Sequence, residues 1–166
     1  MRFALAIASA LALSLPLAVR AAAAPPNAGV VVPGRSLGGI ELGATKAEVE
    51  RRWGRAYGVC GECAVETWYF NYFAFQPRGV GVELRKGRVA ALFTLYQPPG
   101  WRTTKGLMLG DSVARVTAVY GALVRRECVG YSVLVLPGRG ATTGFYVLAD
   151  QLWAFGLSLP GVPLCR

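Results

Sequence analysis

The sequence has 166 residues, with 18 lysines and arginines against 9 aspartates and glutamates and no histidine, for a formal net charge of +9. Without histidine, Ser-His-Asp catalysis, Cys-His catalysis and the usual catalytic zinc sites are excluded, so we expect no enzyme, no cofactor and no metal centre. The basic residues are scattered, which favours a solvated surface over an anionic partner, and we expect no nucleic-acid partner.

An export signal is predicted over residues 1–23. Arg2 is followed by an apolar run to Val19, and the alanines at 21–24 offer signal peptidase a small-residue site, with cleavage after Ala23. A retained membrane anchor is the alternative, but the run is at the short end of the roughly 20 apolar residues that a span needs. No cysteine follows the cut, which argues against a lipoprotein. We therefore expect an exported protein, either secreted or in the extracytoplasmic cell envelope.

Residues 24–37 are predicted to be flexible because they are rich in Pro, Gly and Asn, although the valines at 30–32 allow an edge strand. Two similar stretches follow. Residues 40–54 match residues 107–121 at a constant offset, through the pairs Leu42/Leu109, Gly43/Gly110, Thr45/Ser112, Val49/Val116, Trp53/Tyr120 and Gly54/Gly121. Each stretch predicts a short helix with a hydroxyl N-cap and a terminal glycine. In the first, Glu48 completes a capping box with Thr45.

Strands are predicted after each helix. The first helix precedes an aromatic strand at 66–75, a half-buried strand at 80–85 and an apolar strand at 88–96, and residues 97–106 form a linker. The second precedes strands at 128–136, 143–148 and 151–159, and a tail at 160–166. We therefore predict an α+β protein of two tandem repeats, 38–96 and 107–159, each a helix plus three strands. Joined edge to edge, they would form one six-stranded antiparallel sheet with the helices on one face and the other face bare.

This paired pattern resembles the SmpA/OmlA superfamily, which includes the small lipoprotein of the outer-membrane barrel-assembly machinery and the tandem-repeat β-lactamase inhibitory proteins. The resemblance covers roughly residues 38–159 and is carried by Leu42-Gly43, Thr45, Val49, Trp53-Gly54 and Val89, and by Leu109-Gly110, Ser112, Val116, Tyr120-Gly121 and Leu152. It implies an exported, non-catalytic binding module, and the inhibitory proteins use an aromatic sheet face to hold an enzyme. This chain lacks the lipidated cysteine, and the repeat motif carries no inhibitor signature.

Four cysteines in an exported chain predict disulfide bonds. Of the three pairings, we favour Cys60 with Cys63 and Cys128 with Cys165, the second of which would tie the tail to a strand of the second repeat. A thioredoxin-type redox pair at Cys60 and Cys63 is the alternative. It needs its first cysteine at a helix N-terminus after a strand, whereas this motif follows a helix. A four-cysteine metal site would compete with oxidation on export.

Aromatic residues are the strongest functional signal. Both faces of the strand at 66–75 carry them, and we choose Trp68 and Tyr72 as outward-facing. In the last strand, Trp153 and Phe155 would lie on the bare face if Leu152 points at the helices. An uncovered aromatic sheet is typical of a binding surface, unless the N-terminal segment or the tail covers it.

The sequence thus predicts an exported binding module that holds a protein partner at Trp68, Tyr72, Trp153 and Phe155. Inhibition of an extracytoplasmic enzyme is a specific form of this function. The alternative is a protein that binds a small ligand or a cell-envelope glycan on the same face. We expect a monomer, and peripheral association with the envelope stays open.

Overall fold

The computed structural model describes residues 27–71 and 78–166. In chain order, its elements are β1 (Gly29–Val32), β2 (Ser36–Leu37), β3 (Ile40–Glu41), α1 (Lys46–Trp53), β4 (Tyr57–Val59), β5 (Glu66–Phe70), β6 (Gly79–Arg85), β7 (Arg88–Leu95), β8 (Trp101–Thr103), α2 (Val113–Tyr120), β9 (Val124–Glu127), β10 (Ser132–Gly138), β11 (Ala141–Leu148) and β12 (Gln151–Ser158). The predicted signal peptide lies outside the described residues. Among those described, no helix is long and apolar enough to cross a membrane.

Eight of the described strands form one antiparallel sheet, called the large sheet, in the order β4-β5-β6-β7-β12-β11-β10-β9. The pairing of β7 with β12 joins the strands of the two halves of the chain, with Phe93 opposite Gly156 and Leu92 opposite Leu157. Both strands are mostly apolar, and most of their residues are buried. That composition fits a position at the centre of the sheet, where each strand has a neighbouring strand on both sides.

The other described strands form the small sheet, in the order β3-β2-β1-β8, where β1 pairs with β8 in parallel and with β2 in antiparallel orientation. Val31, Leu37 and Trp101 of this sheet are each at most 1% exposed. They share one hydrophobic core with Trp53 of α1 and Val116 of α2. The small sheet and both helices therefore cover the same face of the large sheet.

The two helices begin and end in the same way. The Thr45 hydroxyl accepts a hydrogen bond from the Glu48 backbone at 3.3 Å, and the Glu48 carboxylate accepts one from the Thr45 backbone at 2.6 Å, which completes the capping box. The latter bond holds the pKa of Glu48 below its ordinary value. Ser112 caps α2 with its hydroxyl. The helices end at Gly54 and Gly121, whose φ angles of 78° and 80° favour glycine. Both predicted helices are confirmed.

The predicted fold class is nevertheless wrong. Within the described ranges the chain is mostly β-structure in two sheets, the large sheet has eight strands rather than six, and the helices are two short elements of eight residues each. The strands β4 and β9 form the two edges of the large sheet. The first has three residues and the second, Val-Arg-Arg-Glu, is exposed throughout, so neither shows the alternation that predicts a strand.

The small sheet was also not predicted as such. Its strand β1 lies where the valines at 30–32 allowed an edge strand, but β2 lies in the segment 24–37 that was predicted to be flexible, and β8 lies in the predicted linker 97–106. They have two to four residues each. Strands of that length give no periodic signal in a sequence, because periodicity needs a longer window.

A β-bulge decides which side chains of β12 face the core. The register between β11 and β12 shifts after Leu152, which leaves Trp153 as an extra residue before Ala154. One extra residue reverses the alternation of the side chains beyond it. Phe155 therefore lies on the same face as Leu152, and both are fully buried in the core under the helices and the small sheet.

Candidate functional site

The structure places two of the four residues predicted to bind a partner in the core. Trp68 is 3% exposed, stacks on Tyr57 with ring centroids 4.1 Å apart, and lies in the core shared with the helices. Phe155 is fully buried against Phe145, at 6.2 Å between ring centroids. Their predicted outward orientation is wrong. Both faces of β5 carry aromatic residues, so the sequence does not show which of them face outward. In β12, the bulge at Trp153 turns the side chain of Phe155 to the core face.

The other two have different outcomes. Tyr72 lies outside the described residues. Trp153 is half-buried on the face of the large sheet that is turned away from the helices, where it packs on the second hydrophobic cluster of the fold. We call this side of the sheet the open face. The open face also carries Tyr69, the neighbour of Trp68 on the opposite side of β5.

A row of aromatic rings crosses the open face. Trp153 packs edge-on against Tyr96 at 5.4 Å between ring centroids, and at 6.2 Å against Tyr131. Tyr131 in turn lies 5.8 Å from Tyr146. Tyr96 is 44% exposed, whereas Tyr146 is 4% exposed. The row therefore runs from solvent at one end to a buried hydroxyl at the other.

Glycines let the inner rings lie flat on the sheet. Gly81 is opposite Phe93, and a Cβ at Gly81 would lie 2.3 Å from the nearest atom of that ring. Likewise a Cβ at Gly156 would lie 2.7 Å from the Tyr146 ring. No side chain other than hydrogen fits under either ring. The two glycines therefore determine how closely the Phe93 and Tyr146 rings approach the backbone of the sheet.

The tail covers part of the open face. Leu164 is 5% exposed and packs with Val133, Tyr146 and Ala154. The predicted Cys128–Cys165 disulfide is present and fixes the tail next to β9. The sequence had allowed a tail that covers the aromatic face, and this tail covers one end of it.

The remainder of the open face is a cleft of about 740 Å³. Its aromatic lining consists of Tyr69, Phe93, Tyr96, Tyr131, Tyr146 and Trp153. The predicted Cys60–Cys63 disulfide is also present, and Cys63 lies at the rim, with its Sγ 3.8 Å from the Tyr69 hydroxyl. The volume falls within the roughly 300–1,000 Å³ of pockets that hold small ligands.

A half-buried ion pair lies at one end of the cleft. Arg166 Nε donates to Glu83 Oε1 at 2.8 Å, and the two side chains are 18% and 13% exposed. Burial alone would lower the pKa of Arg166, but Tyr146 and Glu83 outweigh it and raise that pKa. Burial raises the pKa of Tyr146 to about 12, so its hydroxyl is neutral and donates to the Leu164 carbonyl at 2.7 Å.

A second depression, of about 840 Å³, lies beside α1. It is lined by charged side chains, among them Glu48, Arg51, Arg52 and Arg88. Glu48 is engaged in the capping box, and Arg88 donates to the Gly43 carbonyl at 3.0 Å. Such a lining is typical of a solvated helix face, and we place the functional site in the aromatic cleft instead.

The cleft is equipped for binding through rings and hydrogen bonds. In the parts of the chain that the structure describes, no group of three or more Cys, Asp and Glu side chains is placed to hold a metal ion. The sequence missed Tyr96, Tyr131, Tyr146, Glu83 and Arg166. Glu83 and Tyr146 show only the alternation of a strand, and Arg166 lies in an irregular tail. Such signals cannot show that residues from five segments meet.

No family model and no curated protein matches the sequence. Among solved structures, a DUF4309 family protein, YjgB, from Bacillus subtilis is similar, with a TM-score of 0.57 and 14% identity over 76% of this chain and 88% of that one. An extracellular protein containing an SCP domain from Bacillus anthracis has a TM-score of 0.50 and 11% identity, over 72% of this chain and 44% of that one. At these identities the likeness shows a shared fold alone. The resemblance to the SmpA/OmlA superfamily is not tested by these comparisons and stays a prediction.

Proposed function

We propose that this protein is an exported, non-catalytic binding module whose aromatic cleft holds another protein. The observation that carries the proposal is the row of rings on the open face, which is solvent-exposed at Tyr96 and continues through Trp153 and Tyr131. Tyrosine, tryptophan and arginine are the residues that dominate binding energy at protein interfaces. The two disulfides fit an exported protein, because such bonds persist outside the cytoplasm.

The rigidity of the cleft supports this function. Four of its six aromatic rings stand on strands of the large sheet, and the two disulfides lie at its borders through Cys63 and Cys165. A preformed surface loses little conformational entropy when a partner binds, so more of the contact energy appears as affinity. Arg85 at the rim would add polar contacts around an apolar centre, as in typical interfaces. The proposal includes one specific case, in which the bound protein is an extracytoplasmic enzyme and binding inhibits it.

A small ligand or an envelope glycan is the second candidate. The cleft volume of about 740 Å³ favours this candidate, because a concave cleft of that size can enclose a ligand of a few sugar rings, whereas a flat surface cannot. Exposed tyrosine and tryptophan faces also stack on sugar rings.

The test is affinity capture from culture supernatant with the wild-type protein and with a Tyr96→Ser, Trp153→Ser double variant. Because each truncation removes an aromatic anchor worth about 1–2 kcal/mol or more, capture of a protein partner should fall at least about tenfold. The matched control is the Met108→Ser, Val124→Ser double variant, which removes two exposed apolar side chains that do not line the cleft. The control should capture as the wild type does.

Three outcomes separate the candidates. Equal capture by the Tyr96 and Trp153 variant, shown to be folded by its thermal unfolding, would place the partner elsewhere and refute the proposal. Co-sedimentation with polysaccharide that the same variant loses, without any captured protein, would support the glycan candidate. If the captured protein is an enzyme, titrating it with the wild type measures inhibition directly.

A further inference from the structure

The guanidinium group of Arg166 is held on every side. Its Nε donates to Glu83 Oε1 at 2.8 Å, and its Nη1 donates to the Tyr146 hydroxyl at 2.6 Å and the Leu164 carbonyl at 3.1 Å. Its Nη2 donates to the Ser158 hydroxyl at 3.2 Å. The Cζ atom lies 4.6 Å from the centroid of the Phe93 ring. Each of the three nitrogens therefore has an acceptor, while the plane of the group rests near an aromatic ring.

The acceptors belong mainly to the large sheet and not to the tail. Glu83 is on β6, Phe93 on β7, Tyr146 on β11 and Ser158 on β12. We call these four side chains the Glu83 cradle. All four stand on paired strands, so the large sheet holds the backbone that carries them, and Arg166 approaches from the tail.

This set of groups selects a guanidinium ion. A planar fork with several N–H donors matches a carboxylate, two hydroxyls and a ring face, whereas an ammonium group is a point charge that cannot donate in the same directions. Without a cation, the cradle would leave the Glu83 carboxylate, 13% exposed, with an uncompensated charge. Leaving a largely shielded charge unpaired costs free energy, which favours a cationic ligand in the empty cradle.

We propose that the Glu83 cradle is a binding site for guanidinium groups, which Arg166 occupies within the same chain and which an arginine side chain of another molecule takes when Arg166 is absent or displaced. The site lies at the inner end of the aromatic cleft, since Glu83 and Arg166 both line it. A peptide in the cleft would reach the cradle with an arginine. The inference concerns the cradle alone and does not require that the cleft bind a protein.

The test is binding of Nα-acetyl-arginine amide to the Arg166→Ala variant, measured by calorimetry and by the shift of its thermal midpoint. The variant should bind this compound, and the wild type should not, because its cradle is filled. Nα-acetyl-lysine amide and the neutral isostere Nα-acetyl-citrulline amide should bind at least about tenfold more weakly, since charge-assisted hydrogen bonds from a planar fork are lost. The Glu83→Gln, Arg166→Ala double variant should bind the arginine compound more weakly than Arg166→Ala does, by a similar factor.

A purely structural role for Arg166 predicts different results. The folded variant would then bind none of the compounds, or would bind the lysine and arginine compounds equally, and either result overturns the proposal. If Arg166→Ala unfolds at room temperature, the titration is repeated at low temperature with Arg166→Gln, which keeps much of the aliphatic stem. A thermal midpoint that no arginine compound raises in this variant also overturns it. The capture experiment with Tyr96 and Trp153 variants leaves the cradle intact, so the two proposals fail independently.

Discussion

Removing the Cys128–Cys165 disulfide should destabilise the protein more than removing Cys60–Cys63. The perturbation is a pair of serine substitutions at Cys128 and Cys165, and the pair at Cys60 and Cys63 is its matched control. The first bond holds the tail on the open face, where Leu164 is buried, while the second closes a short loop at the rim of the cleft.

The magnitude follows from the loops that the bonds close. The cysteines are 37 positions apart in the first bond and 3 positions apart in the second. On the chain-entropy model these separations correspond to about 4 kcal/mol and about 2 kcal/mol at 25 °C. Their difference, about 2 kcal/mol, depends only on the ratio of the loop lengths. Release of the tail would also expose Leu164, so the measured difference should be at least this large.

The assay is urea unfolding of the three oxidised proteins, followed by tryptophan fluorescence and extrapolated to water. The wild type should have the highest free energy of unfolding, the Cys60/Cys63 variant an intermediate one, and the Cys128/Cys165 variant the lowest. Equal losses, or a larger loss for the short loop, would refute the reasoning. Such a result would mean that the unfolded chain is already constrained between residues 128 and 165, or that the tail is held without its disulfide.

Three further predictions concern the scaffold. Thr45→Ala should cost about 1 kcal/mol in urea unfolding and more than Ser112→Ala, because Thr45 belongs to a capping box; equal costs would contradict this. Gly81→Ala should cost about 1–3 kcal/mol, because its Cβ would overlap an aromatic ring, whereas Gly58→Ala, which meets nothing within 4 Å, should cost less than about 1 kcal/mol. Burial raises the pKa of Tyr146 to about 12 from 10, so stability should be unaffected by this group below pH 10 and fall by about 2–3 kcal/mol between pH 10 and 12. The Tyr146→Phe variant should lack that part of the fall in an alkaline unfolding series.

Local chemistry made the helices and the disulfides predictable. A hydroxyl N-cap, a glutamate three residues later and a terminal glycine act within one helix, so the bounds of α1 follow from residues 45–54 alone. The export signal predicted that the cysteines form disulfides. Three pairings were open, and the favoured one is confirmed.

The architecture was beyond local reasoning. The small sheet pairs β1 with β8 in parallel, so residues near 30 meet residues near 102. The valines at 30–32 allowed an edge strand, but neither segment is long enough to show its partner, and the Pro- and Gly-rich composition around them indicates loops. What makes them strands is tertiary: Val31 and Trp101 are buried in the core that the helices and the large sheet share.

The open face of the large sheet carries two bulges, one under the tail and one at the cleft. The strand β7 has an extra residue at Ala90, as β12 has at Trp153. Ala90 is small and packs beneath Val162 of the tail, whereas Trp153 is large and borders the cleft. The bulged residue is thus small where the tail covers the sheet and large where the sheet borders the cleft. A bulge leaves no mark in the sequence, since one extra residue resembles ordinary strand continuation. The sequence therefore identifies the aromatic residues but not the face of the sheet on which each one lies. That face depends on the register, and the register depends on the partner strand.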